Sequence, residues 1–340
     1  MKKLSFIDKI IFFLNSLFAA ALLLAYLLPF IPPTTFPALA ILSLGVPFLI
    51  IINIFFLLFW AIRFKKQLLL SLIVLLFGLN HLTSLYQYAE EESQTADSIS
   101  VMSFNVRNFN RYEWMKTVNV SNRIAAFIAA ESPDILCVQE YYDQGNERFK
   151  DFSYAYIEPR LKEGKTGQAI FSKYPIVSKG SLDFEGSMNN AIYADVVIKK
   201  DTLRIFNVHL ESLKINPRVS DLQQEEQRDI LLTRMSNAFK LQQGQTKKLT
   251  SALEAVSHRK VVCVDLNNTA YSYVYRQLSN TGLKDAFKEA GTGLGRTFNF
   301  DFIPLRIDMI FVDEEISISG FSNYDIELSD HFPVSTRIRL

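Results

Sequence analysis

The stretch VVCVDLNN, residues 261–268, decides the fold of the larger part of this chain. Four consecutive apolar residues lead into an acidic residue and two amides, the pattern of a buried strand that ends at a polar edge of a sheet. Similar short runs rich in Val, Ile and Phe occupy residues 100–106, 135–140, 168–171, 191–198, 203–209, 306–312 and 334–340. These runs predict a domain built largely on β-sheet.

Helical segments separate the predicted strands. Residues 119–130 carry apolar side chains at helical spacing, and residues 221–256 form a long polar stretch that we expect to be helical with a break near Gly244. Strands that alternate with helices over roughly 240 residues are typical of one layered α/β domain.

The first 89 residues differ from the rest because they hold only seven charged residues. Apolar stretches at residues 10–31 and 37–62 are long enough for spanning helices, which need roughly 20 residues, and a weaker stretch covers residues 67–86. We expect a transmembrane anchor of two or three helices at residues 1–88, a linker at 89–97 and a second domain at 98–340. A cleaved signal peptide is less favoured, because no small-x-small cleavage site follows the first stretch.

Basic residues next to the spans predict the orientation of the anchor, since they stay on the cytoplasmic side. They precede the first span and follow the second, at Lys2, Lys3, Lys9, Arg63, Lys65 and Lys66. With three spans the second domain lies outside the cytoplasm, and with two spans it lies inside. We favour three spans, and therefore an integral protein of the inner or plasma membrane with an extracytoplasmic domain.

Charge and cysteine content exclude some classes of protein. Residues 90–340 hold 30 basic and 34 acidic residues, a net charge of −4, which counts against a dedicated binder of duplex DNA. Cys137 and Cys263 lie inside apolar runs, so we expect free, buried thiols rather than a disulfide or a zinc site.

Polar residues gather where the predicted strands end. They are Asn105, Glu140, His209, Asp265, Asn267, Asp308, Asp330 and His331. Each alone has an ordinary explanation, such as a turn, a helix cap or a core histidine. Asp308 is harder to explain in that way, because it interrupts the apolar run RIDMIFV, where an unpaired charge is costly.

The donor types in this set point to a hard divalent cation. Carboxylate and amide oxygens without thiolates suit Mg²⁺ or Mn²⁺. Such a cation can offset the charge of a scissile phosphate, while a His–Asp pair removes a proton from water. The residue types therefore indicate metal-dependent phosphoester hydrolysis.

The ordered motifs FNVRN, QE, AIFSKYP, NVHLES, VDLNN, RIDMIF and SDHFP resemble those of the endonuclease/exonuclease/phosphatase superfamily, the deoxyribonuclease I-like proteins. The resemblance covers residues 98–340. It implies a four-layered α/β/β/α sandwich, with two sheets face to face and helices outside. The chain as a whole then looks like a membrane-anchored member of this superfamily.

The resemblance also implies roles for the matching positions. Glu140, Asn105 and Asp330 match metal ligands. His331 matches the general base, and Asp308 matches the residue that orients it.

Further matches concern the substrate phosphate. Asp265 and Asn267 match the pair that positions the attacking water and the phosphate. His209 matches a histidine that binds a non-bridging phosphate oxygen. Arg107 either adds a positive charge beside the phosphate or is an ordinary surface arginine.

One motif departs from the family pattern. The segment that usually reads Gly-Asp-Phe-Asn is Val264-Asp265-Leu266-Asn267 here. The reactive acid and amide are kept, so the departure removes no group that the chemistry needs.

Three functions remain open. The first is an endonuclease-like phosphodiesterase, favoured by Arg107, Arg111, Tyr112 and Trp114 in one loop. The second is a sphingomyelinase-like enzyme that acts on lipid head groups, for which the anchor would supply a high local substrate concentration. The third is a non-catalytic anchored module. The expected partners are the membrane and a phosphoester, and no obligate protein partner is evident.

Overall fold

The computed structural model describes residues 4–89, 97–143, 149–160, 164–214, 225–300 and 304–340. Most of the expected linker at 89–97 lies outside these residues.

The N-terminal region is a helical bundle. Its helices are α1 (Phe6–Ala25), α2 (Pro37–Leu42), α3 (Val46–Ile62), α4 (Leu68–Phe77) and α5 (Leu79–Leu85), with 3₁₀ turns at Leu28–Phe30 and Ser43–Gly45. Two segments, Phe6–Phe30 and Pro37–Ile62, are long and apolar enough to cross a membrane. The third expected span is not one straight helix, because α4 and α5 meet at an angle of 81°. Gly78 lies at this bend, where its backbone conformation ends α4.

Polar side chains join three of these helices inside the bundle. The Asn15 amide donates to the Ser71 hydroxyl over 2.7 Å and accepts from the Trp60 indole over 3.1 Å. Ser71 in turn donates to Asn53 over 3.4 Å. Buried polar pairs of this kind fix the packing of apolar helices, because an unpaired polar group in hydrocarbon is costly.

The rest of the chain forms two six-stranded mixed sheets. The strands are β1 (Tyr86–Tyr88), β2 (Ile99–Asn105), β3 (Ile135–Tyr142), β4 (Tyr154–Pro159), β5 (Thr166–Ser172), β6 (Ile176–Asp183), β7 (Asn190–Ile198), β8 (Asp201–His209), β9 (Arg259–Asp265), β10 (Leu283–Asp285), β11 (Thr292–Leu294), β12 (Asp308–Asp313), β13 (Ser317–Asn323) and β14 (Val334–Arg339). Sheet I has the order β10-β12-β9-β8-β7-β6, and sheet II has the order β13-β14-β2-β3-β5-β4. β1 and β11 pair separately.

Three of the described helices cover the outer faces of the sheets: α6 (Val120–Glu131), α7 (Glu225–Glu254) and α8 (Tyr273–Ser279). A short helix, α9 (Ala286–Ala290), packs Ala286 and Phe287 into the core between the sheets. The predicted break near Gly244 is wrong, since α7 runs through that residue. Its neighbours Gln242 and Gln245 are buried and bond to the Glu211 backbone, which holds the helix against the domain despite the flexible glycine.

Side chains alternate between two apolar layers, as the period of a strand requires. Val101 and Ile135 of sheet II meet Ile205 and Val261 of sheet I in the core between the sheets. The alternate residues of each strand point to the outer face, towards α6 on sheet II and towards α7 and α8 on sheet I. The predicted α/β/β/α sandwich is therefore confirmed. Both cysteines are free and lie in the inter-sheet core, as expected.

Candidate active site

Three neighbouring strands of sheet I carry polar residues in one row. His209 is the register partner of Asp265 across the parallel pair β8 and β9, and Asp308 is the partner of Asp265 across the antiparallel pair β9 and β12. All three side chains are buried, and they lie at the same end of these neighbouring strands. The strand register thus gathers residues that are up to 99 positions apart in the sequence.

His331 reaches this row from the segment before β14. Its Nδ1 atom lies 2.9 Å and 3.1 Å from the two carboxylate oxygens of Asp308. Burial lowers the pKa of His331, but the carboxylates of Asp308 and Asp265 outweigh burial and hold the pKa well above its ordinary value. The pair is therefore a strong proton acceptor, with Asp308 placed to stabilise the charged ring.

Thr297 and Phe298 hold the pair of Asp308 and His331 in place. The Thr297 hydroxyl accepts hydrogen bonds from the amides of Ile307 and Asp308, each over 2.9 Å. The Thr297 carbonyl accepts from the Phe332 amide, and the Phe298 ring lies edge-on to His331 with centroids 5.0 Å apart. No sequence signal marked Thr297 or Phe298.

Asp265 is the central acid of the site and is fully buried. It accepts from the Asn105 side chain over 2.9 Å and from the Asn267 amide over 2.9 Å. Its Oδ2 lies 3.5 Å from His209 Nε2 and 3.8 Å from His331 Nε2. Burial raises the pKa of Asp265 to about 7. At these distances His209 and His331 both face the one carboxylate of Asp265.

Glu140 enters the site from sheet II through an irregularity in the strand. The pairing of β3 with β5 shifts register between Val138 and Tyr141, and Glu140 has a positive φ of 49°. A bulge with this backbone re-aims a side chain at a sheet edge, and strain of this kind recurs at functional sites. Burial raises the pKa of Glu140, and the neighbouring negative charge of Asp330 adds to the rise.

The segment Arg107–Asn110 surrounds Glu140 with polar groups. All four residues have positive φ, between 43° and 57°, which makes one left-handed turn. The Asn108 side chain donates to Glu140 over 2.9 Å, and the Arg107 amide donates to the Asn105 side chain over 3.0 Å. Such a turn is costly for L-residues, so these contacts must hold it.

Arg107 is not a free positive charge. Its guanidinium lies 3.0 Å from Asp330 and 4.3 Å from the centre of the Trp114 ring. Arg160, which the sequence did not single out, instead carries charge near the buried histidine. Burial lowers the pKa of His209 well below its ordinary range, and the positive charge of Arg160 lowers it further. His209 is therefore neutral.

A buried polar network joins the two sheets directly behind the site. Gln139 donates to Ser103 over 3.0 Å and to Asn207 over 2.7 Å. Asn207 donates to the carbonyls of Val138 and Ala169 over 2.9 Å and 3.0 Å. Gln139 and Asn207 each stand inside an apolar run, a signal that could have found them in the sequence.

A cavity of about 530 Å³ opens in front of these residues. It is lined by Arg107, Glu140, Asp265, Asn267, Asp330 and His331 among the predicted residues. Asn105, His209 and Asp308 are behind this lining, where they are buried and bond or face Asp265 and His331. All nine predicted residues are therefore part of one connected site.

The donors fit a hard divalent cation. Asp265, Asp308 and His331 offer ligand atoms within 4.8 Å of one another, a group of the kind that can hold a metal ion. Both Asp308 oxygens already contact His331, so these two residues are less free to bind an ion than Glu140 and Asp330. Glu140 and Asp330 add two more carboxylates to the same cavity. The oxygen-rich set suits Mg²⁺ or Mn²⁺ better than a soft metal.

Comparison with known proteins agrees with this architecture. Residues 102–331 match the Endonuclease/Exonuclease/phosphatase family, and residues 8–85 match a domain of unknown function, DUF8431. No curated protein sequence matches the chain.

Solved structures share the fold at low sequence identity. An endonuclease/exonuclease/phosphatase from Bacteroides vulgatus is 21% identical, with 73% of this chain and 100% of that chain covered and a TM-score of 0.55. A mannosyl-6-phosphatase from Bacteroides thetaiotaomicron is 18% identical, with 71% and 100% covered and a TM-score of 0.52. TDP2 from D. rerio, complexed with a single-strand DNA product, is 15% identical, with 72% and 99% covered and a TM-score of 0.52.

Proposed function

Because the chain belongs to the endonuclease/exonuclease/phosphatase family, we propose that it is a membrane-anchored phosphodiesterase that depends on Mg²⁺ or Mn²⁺. The observation that carries this proposal is the buried set of Asp308, His331 and Asp265 at the base of an open cavity. A water molecule attacks the phosphorus atom, and the leaving alkoxide departs as the phosphoester bond breaks.

His331 acts as the general base in this proposal. Its Nδ1 is hydrogen-bonded to Asp308, so in the neutral ring the proton sits on Nδ1 and Nε2 is free to accept a proton from water. The Asp308 carboxylate then stabilises the imidazolium that forms. General-base catalysis of this kind contributes about 10²- to 10⁴-fold to a rate.

Glu140, Asn105 and Asp330 are proposed to hold the cation. The raised pKa of Glu140 supports this, because a cation offsets the cost of burying its carboxylate and, to a smaller extent, the repulsion from Asp330. A bound divalent ion supplies positive charge that neutralises the scissile phosphate.

The remaining residues are proposed to position the phosphate and the water. Neutral His209 lies beside Asp265 and offers a ring N–H to a non-bridging oxygen. The Asn267 side chain donates one hydrogen to the Leu210 carbonyl over 3.1 Å and has a second hydrogen to offer to the phosphate. Arg107 keeps Asp330 in place through their ion pair. Arg160, whose charge acts on His209, is proposed to supply the positive charge near the phosphate in place of Arg107.

The anchor supports a membrane location with the catalytic domain outside the cytoplasm. Arg63 at the end of α3 pairs with Asp8 at the start of α1 over 2.9 Å, so these two helix ends lie together. The basic residues near them belong to one end of the bundle, and the catalytic domain packs against the other end through Ser43 and Thr269. A basic end is retained in the cytoplasm.

The test is hydrolysis of bis-p-nitrophenyl phosphate by the full chain in detergent micelles, with Mg²⁺ and with chelator. We expect Mg²⁺-dependent release of p-nitrophenolate that Glu140→Ala abolishes. Glu315→Ala, at an exposed acidic residue of the same domain, is the matched control. Wild-type protein that releases no product with either Mg²⁺ or Mn²⁺ contradicts the proposal.

A further inference from the structure

The anchor forms part of the wall of the active-site cavity. Leu44 and Gly45, from the 3₁₀ turn before α3, line the same cavity as Glu140 and His331. These two residues and the next, Val46, which begins α3, belong to the candidate membrane-spanning segment Pro37–Ile62. The mouth of the cavity is therefore next to the boundary of the apolar bundle.

This wall is fixed by specific contacts. The Ser43 carbonyl accepts a hydrogen bond from the Thr269 hydroxyl over 3.1 Å, and the Ser43 hydroxyl lies 3.4 Å from the Asn268 side-chain oxygen. Asn268 and Thr269 directly follow Asn267, which lines the cavity. The anchor is thus bonded to the loop that the proposed mechanism uses.

Apolar packing holds the same turn from a second side. Leu213, Met235, Ala238 and Phe239 of the catalytic domain form a buried cluster, and Leu44 packs against it with its neighbours in the anchor. Leu213 also lines the cavity. One apolar surface therefore runs from the bundle into the active site.

A second contact fixes the orientation of the two parts. The Tyr271 ring stacks on His81 of α5 at 5.7 Å, and the Tyr271 hydroxyl donates to the His81 carbonyl over 3.3 Å. Gln87 of β1 donates to the Lys288 carbonyl over 2.9 Å. The anchor therefore contacts the catalytic domain at two separate places, Thr269 and Tyr271 on one side and Lys288 on another, and these contacts fix its orientation.

The cavity is lined by both charged and apolar side chains. Beside the carboxylates, His331 and Asn267, the lining includes Arg107, Ser212 and Lys214, and its apolar members include Leu44, Trp114, Leu213 and Phe300. Trp114 of this lining is partly exposed, and the exposed Tyr112 ring packs against it with ring centres 5.0 Å apart. Exposed Tyr and Trp are the side chains that favour the interface between membrane and water.

We infer, on the premise that the proposed phosphoesterase activity is correct, that the substrate is a membrane lipid with a phosphoester head group. The phosphate lies beside Glu140 and His331, and the hydrocarbon chain lies along Leu213 and extends past Leu44 and Gly45 into the bilayer. The net charge of −4 over residues 90–340 and the apolar wall both disfavour a polyanionic nucleic acid.

The experiment compares two phosphodiesters that differ only in chain length. Methyl p-nitrophenyl phosphate and hexadecyl p-nitrophenyl phosphate release the same product, and full-length protein is assayed in phosphatidylcholine vesicles with Mg²⁺. We expect kcat/KM for the hexadecyl ester to exceed that for the methyl ester by at least about tenfold, the effect of burying roughly two methylene groups.

Gly45→Trp tests the wall directly. Gly45 has φ −86° and ψ −8°, which any residue can adopt, and a Cβ there meets no atom within 4 Å. The indole should fill the path of the chain and raise KM for the hexadecyl ester about tenfold more than KM for the methyl ester. Gly244→Trp is the matched control, since a Cβ at this exposed position also meets no atom within 4 Å.

The outcomes separate the two proposals. Hydrolysis of both esters with no preference for the long chain, or equal effects of Gly45→Trp on both, overturns the lipid assignment and leaves the phosphoesterase intact. Faster cleavage of a single-stranded DNA oligonucleotide than of the hexadecyl ester also overturns it. Hydrolysis of neither ester contradicts the proposed function itself. If Gly45→Trp does not fold, Leu44→Asn makes the same wall polar at similar volume and should reduce the preference for the long chain.

Discussion

The Nδ1 atom of His331 lies 2.9 Å from Oδ2 of Asp308, a residue 23 positions earlier on the opposite sheet. The two sheets therefore have to pack in one relative position for the proton acceptor to exist. Thr297 fixes the Asp308 side of the pair through two amide hydrogen bonds, and Phe298 covers the ring. The site is a property of the sandwich and not of either sheet alone.

Substitution of either member of this pair should cost similar amounts of activity. We expect His331→Ala and Asp308→Asn each to lower kcat by about 10³-fold, because the first removes the base and the second removes the carboxylate that orients it. The double variant should lose little more than either single variant, since residues that act as a unit are not additive. Steady-state kinetics with bis-p-nitrophenyl phosphate measures this. Asp183→Asn, at an exposed acid, is the control, and additive losses contradict the pairing.

Removal of the Glu140 charge should separate metal binding from folding. Mg²⁺ should raise the Tm of the wild type, because a ligand that binds only the folded state stabilises it. Glu140→Gln should abolish that rise without lowering the metal-free Tm, since the substitution removes a buried charge and its repulsion from Asp330. Differential scanning calorimetry in detergent measures both values. An undiminished Mg²⁺ effect in Glu140→Gln would place the cation elsewhere, whereas Glu315→Gln should behave as the wild type.

The inter-sheet amide network should matter for stability. Asn207→Leu keeps the branched shape of the side chain but leaves the carbonyls of Val138 and Ala169 without this donor. We expect the free energy of unfolding to fall by about 3 kcal/mol, the cost of leaving buried polar groups unpaired. Urea titration followed by tryptophan fluorescence checks this. Asn280→Leu, at an exposed position, should change stability far less, and equal effects would show that the network is unimportant.

The topology can be tested without the substrate. An alkaline phosphatase reporter fused after Leu340 should be active, because that enzyme works only outside the cytoplasm. A green fluorescent protein fusion at the same point, exported unfolded, should be dark. The reverse pattern would mean that α4 and α5 form a re-entrant segment, so that only two helices cross the membrane.

Much of the fold could be predicted because it depends on local patterns. The apolar runs that define β2, β3, β8, β9 and β12 are visible in the sequence, since buried central strands read as continuous Val, Ile and Leu. Strands at or near the sheet edges were missed, including β4, β6 and β13, because their residues are polar on the exposed face. The bend at Gly78 was missed for a related reason, since composition shows length and not direction.

The sequence by itself determined the family, the sandwich, the apolar N-terminal helices and the eight polar residues at the strand ends, because residue type and order carry that information. Only the tertiary structure decided which charges are paired. In the structure Arg107 pairs with Asp330, and the charge of Arg160 acts on His209. These contacts depend on the paths of loops, which no local sequence pattern encodes. The tertiary structure also placed Leu44 and Gly45 of the anchor in the wall of the active-site cavity. That contact joins segments more than 200 residues apart, such as Ser43 and Thr269, and arises from packing of two apolar surfaces and not from sequence proximity.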